Sequence, residues 1–301
     1  FLYLSPQKAM PYHKYCQSKN SCILNILEFN ILKVRRCNTV DRKESCMSLL
    51  KRMLSQCKKP SGRFGRFLAR GMNFGHSGLT KWGLGFIDIA SDIDALDIGC
   101  GGGRTVERLA GIATDGKVVG IDYSPDAVVV ARKKNRALIN EGRVEIFQEA
   151  VSSMRFSDGA FGLITAIETH YFWPDVHNDL KEVHRVTKQG GQLLIVGAVY
   201  KNRKFDRRNQ RIVDAIGMTY LSIEEFREVL EGVGFSEFDA LEEKKKGWFA
   251  VKCIKKKEAA PPNNSLKRTR PLDSGLLVYL EVDLRDHRET TTQSLTQAGV
   301  S

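Results

Sequence analysis

Residues 95–105 read Ala-Leu-Asp-Ile-Gly-Cys-Gly-Gly-Gly-Arg-Thr. The first four residues form a short, mostly apolar segment, and a glycine-rich loop follows it directly. Because glycine has no Cβ, such a loop lets a ligand come close to the backbone. Residues 104–112 have the spacing of a helix. The segment therefore predicts a strand, a ligand-binding loop and a helix, in that order.

Strand-like and helix-like segments alternate in the same way along the central part of the chain. The pattern predicts further strands at residues 118–121, 144–147, 161–167 and 192–199, and a final antiparallel pair at 235–241 and 248–254. It predicts helices at residues 124–140, 177–187 and 222–232. This alternation is typical of an α/β fold with a doubly wound, mostly parallel, seven-stranded sheet of the Rossmann-like kind.

Two carboxylates accompany the glycine-rich loop. Asp97 precedes the loop, where it would repel a pyrophosphate, so it suits a ligand with an ammonium group such as the methionine end of S-adenosylmethionine. Asp122 ends the second strand, about 20 residues after the loop, where a carboxylate can accept hydrogen bonds from both ribose hydroxyls. The chain contains no G-x-x-x-x-G-K-[ST] pattern, which excludes a P-loop.

These segments resemble motifs of the class I S-adenosylmethionine-dependent methyltransferases. The D-x-G-x-G-x-G pattern at residues 97–103 is similar to the first motif of that family, and residues 119–124 are similar to its second. A subgroup of small-molecule enzymes, related to the ubiquinone and menaquinone methyltransferases, has further motifs that resemble residues 161–164, 173–175 and 182–191. The segments at 71–77 and 82–84 also look like an N-terminal segment of this subgroup.

The resemblance implies S-adenosylmethionine as the cofactor and assigns residues to each part of it. Gly99 and Gly101 would line the methionine moiety, with Asp97 near its ammonium group. Asp122 would hold the ribose, and Tyr123 would lie against the adenine. The resemblance adds three residues after or within the third and fourth strands: Glu149, Ala150 and Ala166. The family usually has Asp where this chain has the first of these, so the longer glutamate is a departure from its pattern.

The end of the fourth predicted strand offers candidate catalytic and acceptor-binding residues. Methyl transfer from a sulfonium mainly requires alignment, which can contribute roughly 7–11 kcal/mol, and a base only if the acceptor must lose a proton. Ligands of such sheets bind beyond the carboxyl ends of the strands, where Glu168 and His170 are candidate bases. Tyr171 and Trp173 are candidates for the acceptor wall, or they pack the following helix. His76 is a candidate acceptor contact in an N-terminal lid.

Charge and composition limit the partners that we expect. The net charge is +12, but residues 1–60 contain 12 Lys and Arg against 3 Asp and Glu, whereas residues 61–256 contain 29 against 26. Because the basic charge lies mainly outside the predicted catalytic region, no nucleic-acid partner is expected. No apolar run reaches the roughly 18–20 residues of a membrane span. The seven cysteines include no C-x-x-C pair, which predicts free thiols in a reducing cytoplasm and no metal site.

The same patterns suggest three parts of the chain. Residues 47–256 are predicted to form the methyltransferase domain, with an N-terminal helical lid at 47–90. Residues 1–46 are expected to be an upstream extension, either non-native or disordered, and residues 257–301 a tail of low order. The oligomeric state does not follow from the sequence.

The sequence favours a methyltransferase that acts on a small-molecule acceptor, and two alternatives stay open. An NAD-dependent oxidoreductase with a Rossmann fold would normally carry a G-x-G-x-x-G loop without an acidic residue in front of it. A non-catalytic nucleotide-binding module would keep the same residues without turnover. Binding of S-adenosylhomocysteine against NAD tests the first alternative, and turnover of labelled cofactor tests the second.

Overall fold

A computed structural model describes residues 61–62, 65–66 and 77–257 of the chain. The predictions for residues 1–46 and 258–301, for His76 and for most of the lid segment lie outside these residues. Within the described residues, no helix is both long and apolar enough to cross a membrane.

The seven predicted strands form a single sheet. In chain order they are β1 (Ala95–Ile98), β2 (Val118–Asp122), β3 (Val144–Gln148), β4 (Phe161–Ile167), β5 (Thr187–Gly197), β6 (Phe235–Glu243) and β7 (Trp248–Lys255). Their order across the sheet is β3-β2-β1-β4-β5-β7-β6. The first five strands are parallel to one another, and β7 is antiparallel to both β5 and β6.

This strand order confirms the predicted fold class and separates it from a dinucleotide-binding dehydrogenase. The dinucleotide-binding fold has the order 3-2-1-4-5-6, with β6 next to β5. Here the antiparallel β7 lies between β5 and β6. Because β7 is antiparallel to both neighbours, β5 and β6 run in the same direction, and their carboxyl ends lie at the same edge of the sheet as those of β1 to β4.

Helices cover the sheet. In chain order they are α1 (Ser77–Leu84), α2 (Arg104–Ile112), α3 (Pro125–Lys134), α4 (Arg136–Asn140), α5 (Val176–Val186), α6 (Asp206–Ile216) and α7 (Ile223–Gly232). Alternate residues of the strands face two separate hydrophobic clusters: Ala95 belongs to one, and Leu96 and Ile98 to the other. The two clusters are the layers expected when a parallel sheet is buried on both faces.

Helix α1 is the described end of the predicted lid segment, and it packs on the sheet beside β5 and β7. A Cβ built on Gly83 would lie 2.5 Å from a methyl group of Val196, so the helix backbone lies directly against β5. Trp82 contacts Trp248 with a ring-centroid distance of 5.9 Å. These contacts make α1 part of the core packing, while a lid role for the residues before it stays a prediction.

The structure corrects two predicted elements and adds one. The helix predicted at 124–140 is divided at Asn135, whose side chain turns inward and donates hydrogen bonds to the carbonyls of Gly103 and Ala131. Strand β5 begins at Thr187, directly after α5, because Thr187 pairs with Phe161 ahead of a bulge. Helix α6 was not predicted, since most of its residues are charged or polar and its few apolar positions gave a weak helical pattern in the sequence.

Candidate active site

The glycine-rich loop leaves β1 at the carboxyl edge of the sheet, as the sequence predicts. Gly99, Gly101 and Gly103 all have positive φ angles, of 69°, 52° and 77°, which L-residues with a side chain rarely adopt. A Cβ on Gly103 would lie 2.5 Å from the amide nitrogen of Asn135, so this residue also needs to be small. A Cβ on Gly101 would meet no described atom within 4 Å. The loop is therefore anchored at Gly103 and open at Gly101.

Asp122 at the end of β2 ties the loop to the neighbouring strand. One carboxylate oxygen accepts a hydrogen bond from the Gly101 N–H at 2.9 Å, and the other accepts one from the Ser124 N–H, also at 2.9 Å. Burial raises the pKa of Asp122, while these two backbone donors act in the opposite direction. Since a carboxylate has about four acceptor sites, Asp122 keeps capacity for ligand hydroxyls while it shapes the loop.

Asp97 is the most deeply buried acid of the site, with 2% of its surface exposed. The Thr165 hydroxyl on β4 donates a hydrogen bond of 2.7 Å to its carboxylate. The pKa of Asp97 is raised to about 7 by burial, which outweighs the opposing hydrogen bond from Thr165 and is reinforced by the negative charge of Asp122. A ligand ammonium group beside Asp97 would favour the ionised carboxylate, because opposite charges attract strongly at a buried site.

The residues assigned to the adenine lie at the ends of β2 and β3. Tyr123 is 37% exposed, and burial of its hydroxyl followed by the Asp122 charge raises its pKa to about 12. Ala150 is exposed. Glu149 forms an ion pair with Arg155, whose guanidinium also lies 4.5 Å from the centre of the Phe147 ring. The carboxylate that departs from the family pattern is thus held by a neighbouring cation.

The chain turns sharply where β4 ends. Glu168 has a φ of 60°, which is uncommon for a residue with a side chain and is a form of backbone strain found at functional sites. Its N–H still donates to the Val196 carbonyl at 2.8 Å, so it continues the ladder with β5. Its carboxylate lies beside Tyr171. Burial of the Tyr171 hydroxyl raises the pKa of this group, and the nearby Glu168 carboxylate adds to the effect. Glu168 therefore lies at the carboxyl edge of the sheet, directly after β4, which is the location expected from the sequence.

Four of the predicted site residues lie in the core instead. His170 is 1% exposed and packs on the rings of Phe226 and Phe249, at centroid distances of 5.3 and 5.6 Å. Burial lowers its pKa to about 3, so it is a poor base at neutral pH. The other three are buried in the hydrophobic clusters: Tyr171, Trp173 and Ala166. Burial in these clusters favours the interpretation that Tyr171 and Trp173 pack the structure.

Sequence reasoning missed three polar residues that hold the site. Thr165 bonds to Asp97, Asn135 anchors Gly103, and Thr169 contacts Gly99 so closely that a Cβ on this glycine would overlap the Thr169 side chain. The register of β1 and β4, which pairs Asp97 with Thr165, is the signal that would have found the first. The contacts of Asn135 and Thr169 depend on the conformation of turns, for which the sequence has no comparable signal.

Comparison with known proteins relates this site to a family. Residues 96–195 match the family described as a methyltransferase domain. The chain is 32% identical over 120 residues to demethylmenaquinone methyltransferase of Bacillus cereus, an alignment that covers 40% of this chain and 50% of that protein. It is 25% identical over 124 residues to a sterol 4-C-methyltransferase of Caenorhabditis elegans, covering 41% of this chain and 36% of that protein. The chain therefore spans half or less of the length of these curated relatives.

A solved structure has a similar fold. The crystal structure of an S-adenosylmethionine-dependent methyltransferase from Aquifex aeolicus aligns with a TM-score of 0.50 and 21% sequence identity. The alignment covers 58% of this chain and 89% of that chain.

The raised pKa of Asp97 predicts an unusual dependence of stability on pH. Between about pH 4 and pH 7 the folded protein without cofactor keeps a proton on Asp97 that the unfolded chain has lost. The free energy of unfolding should therefore fall as the pH rises through this range and level off above pH 7. From pH 5 to pH 8, wild type should lose about 2–3 kcal/mol more than Asp97→Asn, at about 1.4 kcal/mol per pKa unit.

Urea denaturation of both proteins at a series of pH values measures this difference. Asp115→Asn, which changes an exposed carboxylate, is the matched control and should follow wild type. Parallel pH profiles for wild type and Asp97→Asn would show that Asp97 ionises normally in the folded protein.

Proposed function

Because the chain belongs to the class I S-adenosylmethionine-dependent methyltransferases, we propose that it transfers a methyl group from this cofactor to an apolar small-molecule acceptor. Membership of the family confirms the resemblance drawn from the sequence motifs and gives S-adenosylmethionine as the cofactor. The observation that carries the proposal is the pair of buried carboxylates, Asp97 and Asp122, on either side of an open glycine loop at the sheet edge.

The residues present fit this cofactor. Asp97 is a buried carboxylate whose strongest described partner is a neutral hydroxyl, so an ammonium group would complete its environment. Asp122 retains acceptor capacity for the ribose hydroxyls, and Gly101 leaves the loop backbone accessible. When bound, S-adenosylmethionine supplies a methyl group on a good leaving group. The protein then contributes mainly alignment, because a displacement of this kind needs the acceptor in line with the methyl group.

The nature of the acceptor is supported by the relatives. The curated names specify a demethylmenaquinone and a sterol, both of which are apolar ring compounds. Glu168 is our candidate for the group that orients the acceptor or removes its proton. It combines a strained backbone, a position at the end of β4 and a buried carboxyl group, with 8% of the residue exposed. His170 is the weaker candidate for the base, because burial lowers the pKa of its imidazole to about 3.

Methyl transfer from labelled S-adenosylmethionine tests the proposed function directly. The full chain would be incubated with a panel of hydroquinones, phenols and sterols, and with polar amines and carboxylates as contrasting acceptors. We expect label to enter an apolar ring compound and not the polar panel. Cofactor binding without transfer to any acceptor would instead favour the non-catalytic alternative, and transfer only to the polar panel would contradict the apolar acceptor.

Two substitutions separate catalysis from packing at the end of β4. Glu168→Gln should lower kcat at least about tenfold and leave the affinity for S-adenosylhomocysteine near wild type, because a group used mainly in the transition state affects the rate. His170→Ala should instead lower the free energy of unfolding by about 2–4 kcal/mol, since it removes a buried ring from an aromatic cluster.

Steady-state kinetics, calorimetry and urea denaturation of both variants provide these values. His170→Phe is the matched control, because it keeps a ring in the cluster and removes the imidazole. If His170→Phe folds well but loses turnover while Glu168→Gln keeps it, the roles assigned to these two residues are wrong.

A further inference from the structure

Two segments at the carboxyl edge of the sheet are rich in cations. One follows β5 and leads into α6, and the other is the turn between β6 and β7. Together they form a surface that we call the basic rim, which consists of Lys201, Arg203, Lys204, Arg207, Lys244, Lys245 and Lys246. All of these side chains are exposed except that of Lys246, which is half-buried.

Direct contacts join the two segments into one surface. The Lys204 ammonium group donates a hydrogen bond of 3.1 Å to the Lys244 carbonyl. A Cβ built on Gly247 would lie 2.6 Å from the Phe205 ring, so this ring packs on the backbone of the turn. The Lys246 ammonium group lies 4.2 Å from the centre of the Trp248 ring, which fixes the end of the turn to the core.

The rim lies at the edge of the sheet that carries the cofactor site. Strand β5 ends at Gly197, just before the first rim segment, and β6 runs in the same direction as β5 and ends at Glu243, just before the second. Lys201 and Lys244 border an open cleft of about 390 Å³ between the two segments. The glycine loop leaves β1 at this same edge, so the rim lies on the side of the sheet where the proposed acceptor would bind.

Five carboxylates lie on or beside the rim, so its seven cations outnumber them: Asp206, Glu224, Glu225, Glu242 and Glu243. Asp206 accepts a hydrogen bond of 2.7 Å from the Tyr220 hydroxyl, and Glu243 accepts one of 3.1 Å from the Lys245 N–H. Glu225 pairs with Lys201 at 2.6 Å, and it also accepts the Ser222 N–H at the start of α7. Glu242 accepts a hydrogen bond of 2.6 Å from the Tyr200 hydroxyl. The rim therefore presents an excess of cations, although residues 61–256 as a whole contain only 29 Lys and Arg against 26 Asp and Glu.

We propose that the basic rim docks the protein on the anionic headgroups of a phospholipid bilayer, with the acceptor side of the sheet toward the lipid. The choice of partner rests on the proposed function, since an apolar acceptor partitions into a bilayer. A planar array of headgroup charges contacts the outermost cations of the rim at once. A nucleic acid is less favourable, because Glu224 and Glu242 line the cleft that a phosphodiester strand would follow between the two segments.

Vesicle co-sedimentation of the full chain tests the inference. Vesicles of phosphatidylcholine with and without phosphatidylglycerol are the probes, and one variant combines Arg203→Gln, Arg207→Gln and Lys245→Gln. Wild type should bind the anionic vesicles with a salt-sensitive affinity. The triple variant should bind about a hundredfold more weakly, because each cation near an anionic bilayer contributes about fivefold.

A second triple variant, with Lys117→Gln, Lys133→Gln and Arg136→Gln, is the matched control. It removes the same charge from exposed positions at the opposite edge of the sheet, at the start of β2 and around the end of α3. It should bind the vesicles like wild type, so the comparison cancels any contribution from the basic residues 1–60. Affinity for S-adenosylhomocysteine should be unchanged in both variants, which would show that each is folded.

Three results would overturn the inference. Equal weakening of both triple variants would mean that net charge, and not the rim, drives binding. Equal binding of wild type to neutral and anionic vesicles would exclude recognition of headgroup charge. Displacement of the protein from vesicles by duplex DNA, with tighter DNA binding that the rim variant loses, would make the rim a nucleic-acid surface. Vesicle binding needs no turnover, so failure of methyl transfer would overturn the proposed function and leave docking by the rim intact.

Discussion

The burial of a carboxylate at the carboxyl end of β1 is the constraint on which the candidate site depends. Asp97 is 2% exposed, and its described hydrogen bond comes from the neutral hydroxyl of Thr165. Ionising such a group without a cation is costly, and its pKa rises to about 7 as a result. A cation next to Asp97 would therefore stabilise its ionised form. The ammonium group of a ligand would attract the ionised carboxylate of Asp97, whereas a pyrophosphate would repel it.

The parallel strands bring the other requirements of methyl transfer to the same edge. Asp122 at the end of β2 both shapes the glycine loop and keeps acceptor capacity for a ribose. Glu168 at the end of β4 lies next to the loop through its neighbour Thr169, which contacts Gly99. The basic rim follows β5 and β6 at this edge. The candidate residues for the cofactor and the acceptor, and the proposed membrane contact, thus lie at one edge of the sheet because its strands end there together.

The sequence predicted the sheet well and the site in part, for physical reasons. Strand and loop residues are close in sequence, so the path from β1 through the glycine loop to α2 and the acid at Asp122 could be predicted from local patterns. Thr165 lies 68 residues from its partner Asp97, and only the pairing of β1 with β4 brings them together. The position of His170 could not be predicted in the same way, because the chain turns at Glu168, with its positive φ, and the imidazole two residues later packs in the core.

The most direct test of this account is the number of protons released when S-adenosylhomocysteine binds. Its ammonium group would favour the ionised form of Asp97, whose carboxyl has a pKa raised to about 7, so binding at pH 6 should release close to one proton. Isothermal titration calorimetry in buffers with different ionisation enthalpies measures that number. The account predicts release of nearly one proton by wild type and of almost none by Asp97→Asn. Tight binding to wild type without proton release would contradict it.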